Sequence, residues 1–497
     1  GDAIDDAGDN DPPRHVVVCG GGAAGLTAAY FAAECGARVT VLERTKEAGK
    51  KILISGGTRC NVLPSSVELE RDFFSSAKAG ALRQAFATWT LQGARDWLDE
   101  VGLDMDVEEE TGKVFPRSGS AREVRDLLVR GCLDRGVVLR YNTPIVGLAP
   151  QTKWENDGAG GVTNGVDSSE GDPGLDENAP RWVCELPDGE QMCADRVVLA
   201  TGGYSFPALG TDGAGHRLLK AMPPPMRHTL VEPYPALTPL TGPHPGGARL
   251  QGVSLEVDLS VKYASGAKGA KKGKGKRRKA IASNRPGFLF SHKGYSGPAV
   301  LDASHHAVMA IEKAKKARAQ GQHGGGSGED GDDGEDLGPL PTVQVNWTGE
   351  TREEWTARLD PANKPGRSPL VLGRLRGVLP VRLAEALLDE VGIDAQARVA
   401  DLRKVQRSAL LDILTSYDIP YDGHQGYAKA EVTGGGVPLS ELDPRTWESA
   451  RLPGVHIIGE LTDVFGRIGG FNFLFAWTSG RAAGVAAATG RIARPDA

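Results

Sequence analysis

The apolar positions near the start of the chain change their period twice. Val16, Val17 and Val18 form a continuous apolar run, and beyond a short glycine and alanine stretch the apolar residues recur at helical spacing from Leu26 to Ala33. A second β-branched run follows at 38–42. The pattern therefore predicts strand, tight turn, helix and strand, in that order.

Further along the chain the helical and extended patterns occupy different regions. Helical spacing at 81–101 and 120–135 predicts amphipathic helices that cover the sheet. Residues 207–349 carry short apolar runs among many prolines and glycines, with no long helix early on, which indicates a β-rich second domain. A helical period returns at 351–416 and predicts a small helical domain.

Composition places the chain among ordinary globular proteins. Its 497 residues are 40% hydrophobic and 25% charged, and no apolar run reaches the roughly 18 residues of a bilayer span. The net charge of −6 argues against nonspecific nucleic-acid binding by the body of the molecule. Six cysteines without C-x-x-C spacing predict free thiols and no metal site. We therefore expect a soluble protein in a reducing compartment, either cytoplasmic or plastid.

The first turn has the spacing of a dinucleotide site. Gly20, Gly22 and Gly25 satisfy G-x-G-x-x-G, which permits a tight turn and close approach of a pyrophosphate to the helix N-terminus. Glu43 ends the second strand, where an acid binds ribose hydroxyls and favours FAD or NAD over NADP. A lone G-x-G-x-x-G is often only a loop, and the flanking strands and the acid are what favour the nucleotide interpretation.

A second glycine-rich edge lies near the end of the chain. Residues 454–458 predict a strand, 459–472 a glycine-rich loop with Asp463, and the helix that follows carries small residues that would let backbones approach closely. The small positions of that helix are Ala476, Gly480, Ala483 and Gly484. The strand at 196–200 likewise runs into Thr201, Gly202 and Gly203, the form of a strand end that faces a ligand crevice, although a plain loop fits equally.

Several blocks, in order, resemble one known family. The blocks are GGGAAGL at 20–26, GKKILISGGTRCNV at 49–62, YPALTPL at 234–240, GFLFSHKGYSGPAVL at 287–301, AEVTGGGV at 430–437 and GELTDVFGRIGGFNFLFAWTSGRAAG at 459–484. Together they resemble the BaiN/RsdA-like flavoproteins, which are NAD(P)/FAD-dependent oxidoreductases. Thr58 stands where that family usually has a third glycine, and Leu63-Pro64 replaces its usual polar pair.

The resemblance implies an α/β fold with a Rossmann-like FAD-binding domain built from both chain ends, an inserted β-barrel-like domain and a small helical domain. The expected division is a disordered tail at 1–13, the FAD-binding domain at 14–206 and 429–497 with a flexible insert at 151–180, a β-rich insert domain at 207–349 with low-complexity loops at 266–285 and 315–338, and a helical insert domain at 350–428.

The resemblance also implies which residues bind FAD. The pyrophosphate would lie against Gly20, Gly22, Ala24 and Gly25, and the adenosine would contact Glu43 and the backbone of Ile145. The remaining phosphate and flavin contacts would come from Lys50, Lys51, Ser55, Arg59, Cys60, Asn61, Thr201, Gly202, Gly203, Asp463, Gly469, Gly470, Phe471 and Asn472.

With FAD bound, hydride would pass through flavin N5 to an acceptor. A compound with a conjugated C=C bond or a carbonyl group could be that acceptor. The sequence has no second strand-GxGxxG-helix, so NAD(P)H would dock transiently or another donor would serve. His292 is the one histidine in a family-like block. It is either an acid on the substrate side or a structural, hydrogen-bonded residue. The alternatives are a flavoprotein that binds RNA through the basic run Lys271–Lys279, and a degenerate fold without cofactor.

Overall fold

The structure is a computed structural model that describes residues 13–151, 182–263, 278–280, 286–319, 340–360 and 368–494. The tail predicted at 1–13 lies outside the described residues except for its last position, as does the insert predicted at 151–180 except for its first. The two low-complexity loops and the basic run lie mostly outside them as well, although residues 315–319, the start of the second loop, belong to a helix.

The helices are numbered in chain order. Their bounds are α1 Ala23–Glu34, α2 Lys50–Ile54, α3 Leu69–Asp72, α4 Ala79–Phe86, α5 Leu91–Glu100, α6 Ala121–Asp134, α7 Ala214–Ala221, α8 Pro298–Ala319, α9 Arg352–Arg358, α10 Val371–Leu375, α11 Val381–Glu390, α12 Lys404–Thr415 and α13 Phe471–Thr489.

The strands are numbered in the same way. Their bounds are β1 His15–Cys19, β2 Arg38–Leu42, β3 Leu63–Pro64, β4 Phe73–Phe74, β5 Met105–Glu108, β6 Lys113–Pro116, β7 Val138–Arg140, β8 Gly147–Pro150, β9 Trp182–Glu185, β10 Gln191–Ala194, β11 Arg196–Leu199, β12 Val231–Ala236, β13 Leu240–Thr241, β14 Ser254–Glu256, β15 Asp258–Lys262, β16 Arg278–Ala280, β17 Gly287–Ser291, β18 Gly294–Ser296, β19 Thr342–Asn346, β20 Tyr417–Asp418, β21 Gly423–His424, β22 Val432–Gly436, β23 Val455–Ile457 and β24 Phe465–Gly466.

Contacts divide the chain into two compact units. Unit 1 comprises residues 1–233 and 434–497, and unit 2 comprises residues 234–433. The sequence placed the boundaries at 206/207 and 428/429, so the stretch that carries α7 falls in unit 1. Each end of the chain therefore contributes to unit 1.

A five-stranded parallel sheet forms the centre of unit 1, in the order β23-β11-β1-β2-β7. The predicted valine run is β1, which is buried along its whole length because strands lie on both sides of it and helices cover it. From β1 the chain continues to β2 on one side, and β11 lies on the other. The order reverses between β1 and β11, and open α/β sheets bind ligands at the carboxyl ends of strands at such a switch point.

Two helices from opposite chain ends pack together in unit 1. The Cβ of an alanine at position 480 would lie 2.7 Å from the carbonyl oxygen of Ala24, and one at 484 would overlap that of Ala28. The small residues predicted along α13 therefore do let the two backbones approach closely. Both helices are buried over most of their length.

The helix predicted at 81–101 is interrupted. The structure has α4 and α5 there, because the Thr90 side chain accepts a hydrogen bond from the Gly93 N–H at 2.9 Å and starts a new helix. Trp89, immediately before that cap, is buried against the core of unit 1. The helix predicted at 120–135 is confirmed as α6.

Unit 2 has one core shared by its strands and helices. Its two larger sheets have the orders β14-β17-β18-β13-β21 and β16-β15-β19-β20. Neither sheet closes on itself among the described strands, so the barrel-like part of the prediction is corrected to open sheets. Buried aromatic residues, including Phe288 of β17 and Trp347 directly after β19, join the same cluster as the leucines of α11 and α12.

The α/β class with a Rossmann-like parallel sheet is thus confirmed. Within the ranges that the structure describes, no helix is long and apolar enough to cross a membrane.

The contact between α1 and α13 makes a stability prediction. Gly484→Ala should lower the free energy of unfolding by about 1–3 kcal/mol, because the added methyl would overlap backbone that cannot move without shifting a helix. Urea unfolding of the purified protein measures the change. Gly80→Ala in α4 is the matched control, since a Cβ there meets nothing within 4 Å and should stabilise by roughly 0.5–1 kcal/mol. Equal effects of the two substitutions would contradict the close contact.

Candidate functional site

The glycine turn between β1 and α1 has the geometry of an anion site. The Gly20 N–H donates to the Leu42 carbonyl at 2.8 Å, and a Cβ at Gly25 would overlap the Gly20 carbonyl oxygen, so the turn lies tightly against the helix. α1 has no side-chain cap and no acidic residue in its first turn. Its N-terminal N–H groups and positive dipole end are therefore left to favour an anion.

The turn leaves open space next to Gly22. Its backbone is extended, with φ −82°, a conformation that any residue adopts, and a Cβ built on it would meet nothing within 4 Å. Neither the backbone nor the packing of the described residues therefore requires glycine here. The open space lies directly at the N-terminus of α1.

Glu43 is bonded to the same turn. Its carboxylate accepts hydrogen bonds from the Gly21 N–H at 2.9 Å and the Thr45 N–H at 2.8 Å. The Thr143 N–H donates to the Glu43 carbonyl at 2.9 Å, which brings the segment ending at Ile145 to the same edge of the sheet. Ile145 is partly buried against the core of unit 1.

The loop after β23 meets the glycine turn from the other chain end. A Cβ on Gly459 would lie 3.0 Å from that of Ala24. The next residue, Glu460, forms an ion pair with Lys51 at 2.5 Å and accepts from the Ser205 hydroxyl at 2.7 Å. Lys51 also donates to the Ser205 hydroxyl. These residues form a cluster from three distant parts of the sequence.

Two members of that cluster, Glu460 and Ser205, are absent from the sequence-based site. A signal was available for Glu460, because it is an acidic residue that comes shortly after a buried strand, as Glu43 does after β2. Ser205 lies in an irregular loop and carries no comparable signal. Lys50, which precedes Lys51 at the start of α2, is partly buried.

The loop from Ser55 to Cys60 has an unusual backbone. Gly57 and Thr58 have φ of 65° and 72°, and Cys60 has φ of 59°. Thr58 is the position where the family resemblance led us to expect glycine, and a β-branched residue is strained in this region. Arg59 is exposed, lies over the Phe115 ring at 3.9 Å to the ring centre and pairs with Glu108 at 3.3 Å.

Cys60 is buried, with its backbone N–H bonded to the Ser55 carbonyl at 3.0 Å. Burial raises the pKa of the Cys60 thiol to about 12, so the thiol stays protonated near neutral pH. It therefore has the character of a small packed residue rather than of a nucleophile.

Asn61 connects this loop to the start of α13. With its amide oriented to suit its neighbours, Asn61 donates to the Val114 and Leu63 carbonyls at 3.1 and 2.9 Å and accepts from the Gly470 N–H at 3.2 Å. Asn472 in turn accepts from the Gly466 N–H and donates to the Gly466 carbonyl, each at 2.8 Å. Gly469 precedes Gly470, and Phe471 begins α13 as a buried residue.

Asp463 is 5% exposed, and its carboxylate already has partners in the protein. It accepts from the Ser76 N–H at 2.9 Å and from the Ser76 hydroxyl, with a further bond from the Gly435 N–H. Burial raises the pKa of Asp463 above its ordinary value against the effect of these bonds. In this structure Asp463 links the loop after β23 to Ser76 and Gly435.

Thr201, Gly202 and Gly203 follow β11 on the other side of the switch point. A Cβ on Gly20 would overlap the Ala200 carbonyl, so this strand end lies against the glycine turn. The Thr201 hydroxyl oxygen is buried and has no hydrogen-bond partner among the described residues. A buried polar atom of this kind calls for a ligand, a water or another functional reason.

His292 lies in unit 2 and is exposed at the turn between β17 and β18. No hydrogen bond to it is present among the residues that the structure describes.

A serine, histidine and glutamate arrangement elsewhere in unit 1 is structural. The His228 ring bonds to Glu441 at 2.7 Å and to the Ser449 hydroxyl at 2.8 Å. Burial raises the pKa of Glu441, but hydrogen bonds from Arg451, Thr229 and His228 outweigh it and lower that pKa to about 2. All the same, Ser449 is buried and its oxygen accepts from two backbone N–H groups, at 2.9 and 3.0 Å. A substrate carbonyl has no access to it.

The site thus offers an anion-binding helix end, open space beside it, a carboxylate on each side and a buried hydroxyl, that of Thr201, without a partner in the described part of the chain. No group of three or more His, Cys, Asp and Glu side chains in the described ranges is arranged to hold a metal ion.

Comparison with known proteins gives one family and several relatives. The family model described as HI0933-like protein Rossmann domain matches residues 14–162 and 175–486. The chain is 27% identical to the ribosomal RNA dihydrouridine synthase of Escherichia coli (strain K12), over 93% of this chain and 95% of the relative. It is 26% identical to the 3-dehydro-bile acid delta(4,6)-reductase of Clostridium scindens, over 96% of this chain and 99% of the relative.

Among solved structures, the 3-ketosteroid-delta4-(5alpha)-dehydrogenase of Rhodococcus jostii aligns with 96% of this chain and 97% of its own. The identity is 15% and the TM-score is 0.41, too distant for a comparison of sites.

The strained loop predicts opposite effects at two neighbouring positions. Thr58→Gly should raise the free energy of unfolding by about 0.5 kcal/mol, because relief of roughly 1–2 kcal/mol of strain exceeds the added chain entropy. Gly57→Ala should lower it by about 1 kcal/mol, although the new methyl meets nothing within 4 Å. Urea unfolding compares the two. A destabilising Thr58→Gly would contradict the strained conformation.

Proposed function

This chain belongs to the HI0933-like Rossmann-domain family of flavoprotein oxidoreductases, and we propose that it uses bound FAD to reduce a carbon–carbon double bond conjugated to a carbonyl. The observation that carries the FAD assignment is the open space at Gly22, beside the uncapped N-terminus of α1. A glycine that neither backbone nor packing requires is explained by a ligand that approaches the backbone.

The residues present fit a long dinucleotide. The glycine turn would hold the pyrophosphate, Glu43 and the Ile145 backbone the adenosine, and Glu460 with Lys51 the polyol and phosphate segment. The further contacts proposed are those of Ala24, Lys50, Ser55, Arg59, Cys60, Asn61, Thr201, Gly202, Gly203, Asp463, Gly469, Gly470, Phe471 and Asn472.

FAD, when bound, supplies hydride transfer at flavin N5. The chain's own residues would bind and orient it: the α1 N-terminus offsets phosphate charge, and Glu460 balances Lys51 so that the partly buried cluster is close to neutral. NAD(P)H is proposed as the donor that docks transiently, because the sequence has a single strand-GxGxxG-helix motif.

The substrate class follows from the chemistry that two relatives' names share. Dihydrouridine differs from uridine by two hydrogens across a double bond conjugated to a carbonyl, and a bile acid delta(4,6)-reductase with a 3-oxo substrate acts on the same kind of bond. An enone of small-molecule type is the substrate that we propose. His292 is the proposed acid that protonates the carbon next to the carbonyl.

RNA is the second candidate substrate. The observation that favours it is the ribosomal RNA substrate in the names of two relatives, together with the basic run Lys271–Lys279. A basic run binds phosphates in a salt-dependent way. Uracil in RNA would then present the same conjugated double bond as an enone.

The open space at Gly22 predicts that a substitution there weakens FAD binding and has little effect on stability. Gly22→Ala should change the free energy of unfolding of the apoprotein by no more than about 0.5–1 kcal/mol, as expected at a helix N-cap, yet weaken FAD binding at least tenfold because the methyl fills the open space. Fluorescence titration with FAD measures the affinity. Gly25→Ala is the contrasting variant, because its methyl would overlap the Gly20 carbonyl and disturb the fold itself. Unchanged FAD affinity in Gly22→Ala would refute this placement.

An anaerobic experiment tests the reaction. The flavin of the holoprotein should bleach with NADH or NADPH and regain its colour when a conjugated enone is added, with one reduced product per flavin. His292→Ala should keep the bound FAD and slow only the return of colour, and loss of FAD would count against its substrate-side role. Reoxidation by uridine-containing RNA alone, abolished when Lys271–Lys279 is deleted, would favour the second candidate. Reoxidation by neither would contradict the proposed reaction.

A further inference from the structure

His216 has an unusual environment. It lies in α7 of unit 1, is 1% exposed, and neither of its ring nitrogens has a hydrogen-bond partner among the described residues. Buried polar groups are nearly always paired, because burial removes the hydrogen bonds that they make with water. Two unpaired nitrogens on one buried ring therefore need an explanation.

Gly215, the residue before His216 in α7, lies close to the glycine turn. A Cβ on Gly20 would lie 3.1 Å from the Cα of Thr201, and a Cβ on Gly215 would overlap the Thr201 hydroxyl oxygen. That hydroxyl is also buried and has no hydrogen-bond partner among the described residues. Gly215 also contacts Leu461, the residue after Glu460. The Thr201 hydroxyl and the start of α7 thus lie between the glycine turn and the Glu460 loop, and the Glu460 carboxylate is near enough to affect the pKa of His216.

The ring is a neutral hydrogen-bonding group. Burial lowers the pKa of His216 to about 4, against the opposing effect of Glu460 and with a smaller lowering effect of Arg217. The Tyr204 ring packs on it, with ring centres 5.0 Å apart. At neutral pH the imidazole therefore offers one N–H donor and one acceptor without adding charge to the nearby Lys51–Glu460 pair.

We propose that His216 is a cofactor-binding residue, whose N–H donates a hydrogen bond to an oxygen in the phosphate and polyol segment of bound FAD. The inference rests on the proposed FAD binding and adds a residue that neither the glycine motif nor the resemblance indicated. A purely structural role would be served at least as well by phenylalanine, which fills the same space and leaves no unpaired nitrogen.

The structural and the cofactor-binding roles predict opposite results for His216→Phe. We expect the apoprotein of this variant to melt at the same or a higher temperature than the wild type, and its Kd for FAD, measured by fluorescence titration, to rise about tenfold, which is the loss of one hydrogen bond. His216→Gln, which keeps a donor and an acceptor, should restore part of the affinity.

Thr478→Val in α13 is the matched control, because it also removes a buried polar atom without a partner. It should leave the Kd for FAD unchanged, whatever its effect on the melting temperature. If the wild type binds FAD and His216→Phe binds it equally well, the inference is overturned. A lower melting temperature with unchanged affinity overturns it too, in favour of a structural role. If the wild type binds no FAD, the proposed function itself fails.

Discussion

The backbone of α13 runs against the backbone of α1 at Gly480 and Gly484, and the arrangement of unit 1 depends on that contact. α1 begins at the glycine turn, and α13 begins directly after Gly470, which lies against Asn61 and Leu63. Because the two helices cannot separate without exposing a large buried surface, the two ends of the chain are held in one register. Glu460 and Lys51 then come within 2.5 Å of each other, although 409 positions separate them in the sequence.

The features that distinguish the site do little for the stability of the protein without a ligand. Thr58 adopts a conformation that strains a β-branched residue, and α1 has no side-chain cap. His216 and Thr201 bury polar atoms that have no partner among the residues that the structure describes. Local departures of this kind gather at functional sites, where a bound group supplies the missing interactions. The uncapped α1 N-terminus and the Thr201 hydroxyl both lie at the switch point of the sheet, which is a physical reason to expect a ligand there.

Much of the central fold could be predicted from local patterns. The valine run of β1, the spacing of Gly20, Gly22 and Gly25, and the small residues of α13 each reflect a constraint that acts within a few residues or on one face of a helix. These signals predicted a nucleotide-binding turn and a second glycine-rich edge, and the resemblance to a known family then implied that both chain ends form one Rossmann-like domain.

Other features depend on pairing that no local pattern reports. Thr90 divides a continuous amphipathic pattern into two helices through one side-chain bond, and the strands of unit 2 form open sheets where closure was expected. The apolar period of α8 is weak because its first half is buried on most sides while its second half is charged and exposed. Ser205 and His216 matter only through neighbours that the fold brings to them.

The visible absorption spectrum of the wild-type protein, incubated with FAD and then freed of unbound cofactor, tests the central claim most directly. If the cofactor is held between the two chain ends, the flavin bands should stay with the protein at about one FAD per chain. The bands should also be shifted from those of free FAD. A folded protein that emerges colourless after incubation with excess FAD would contradict it.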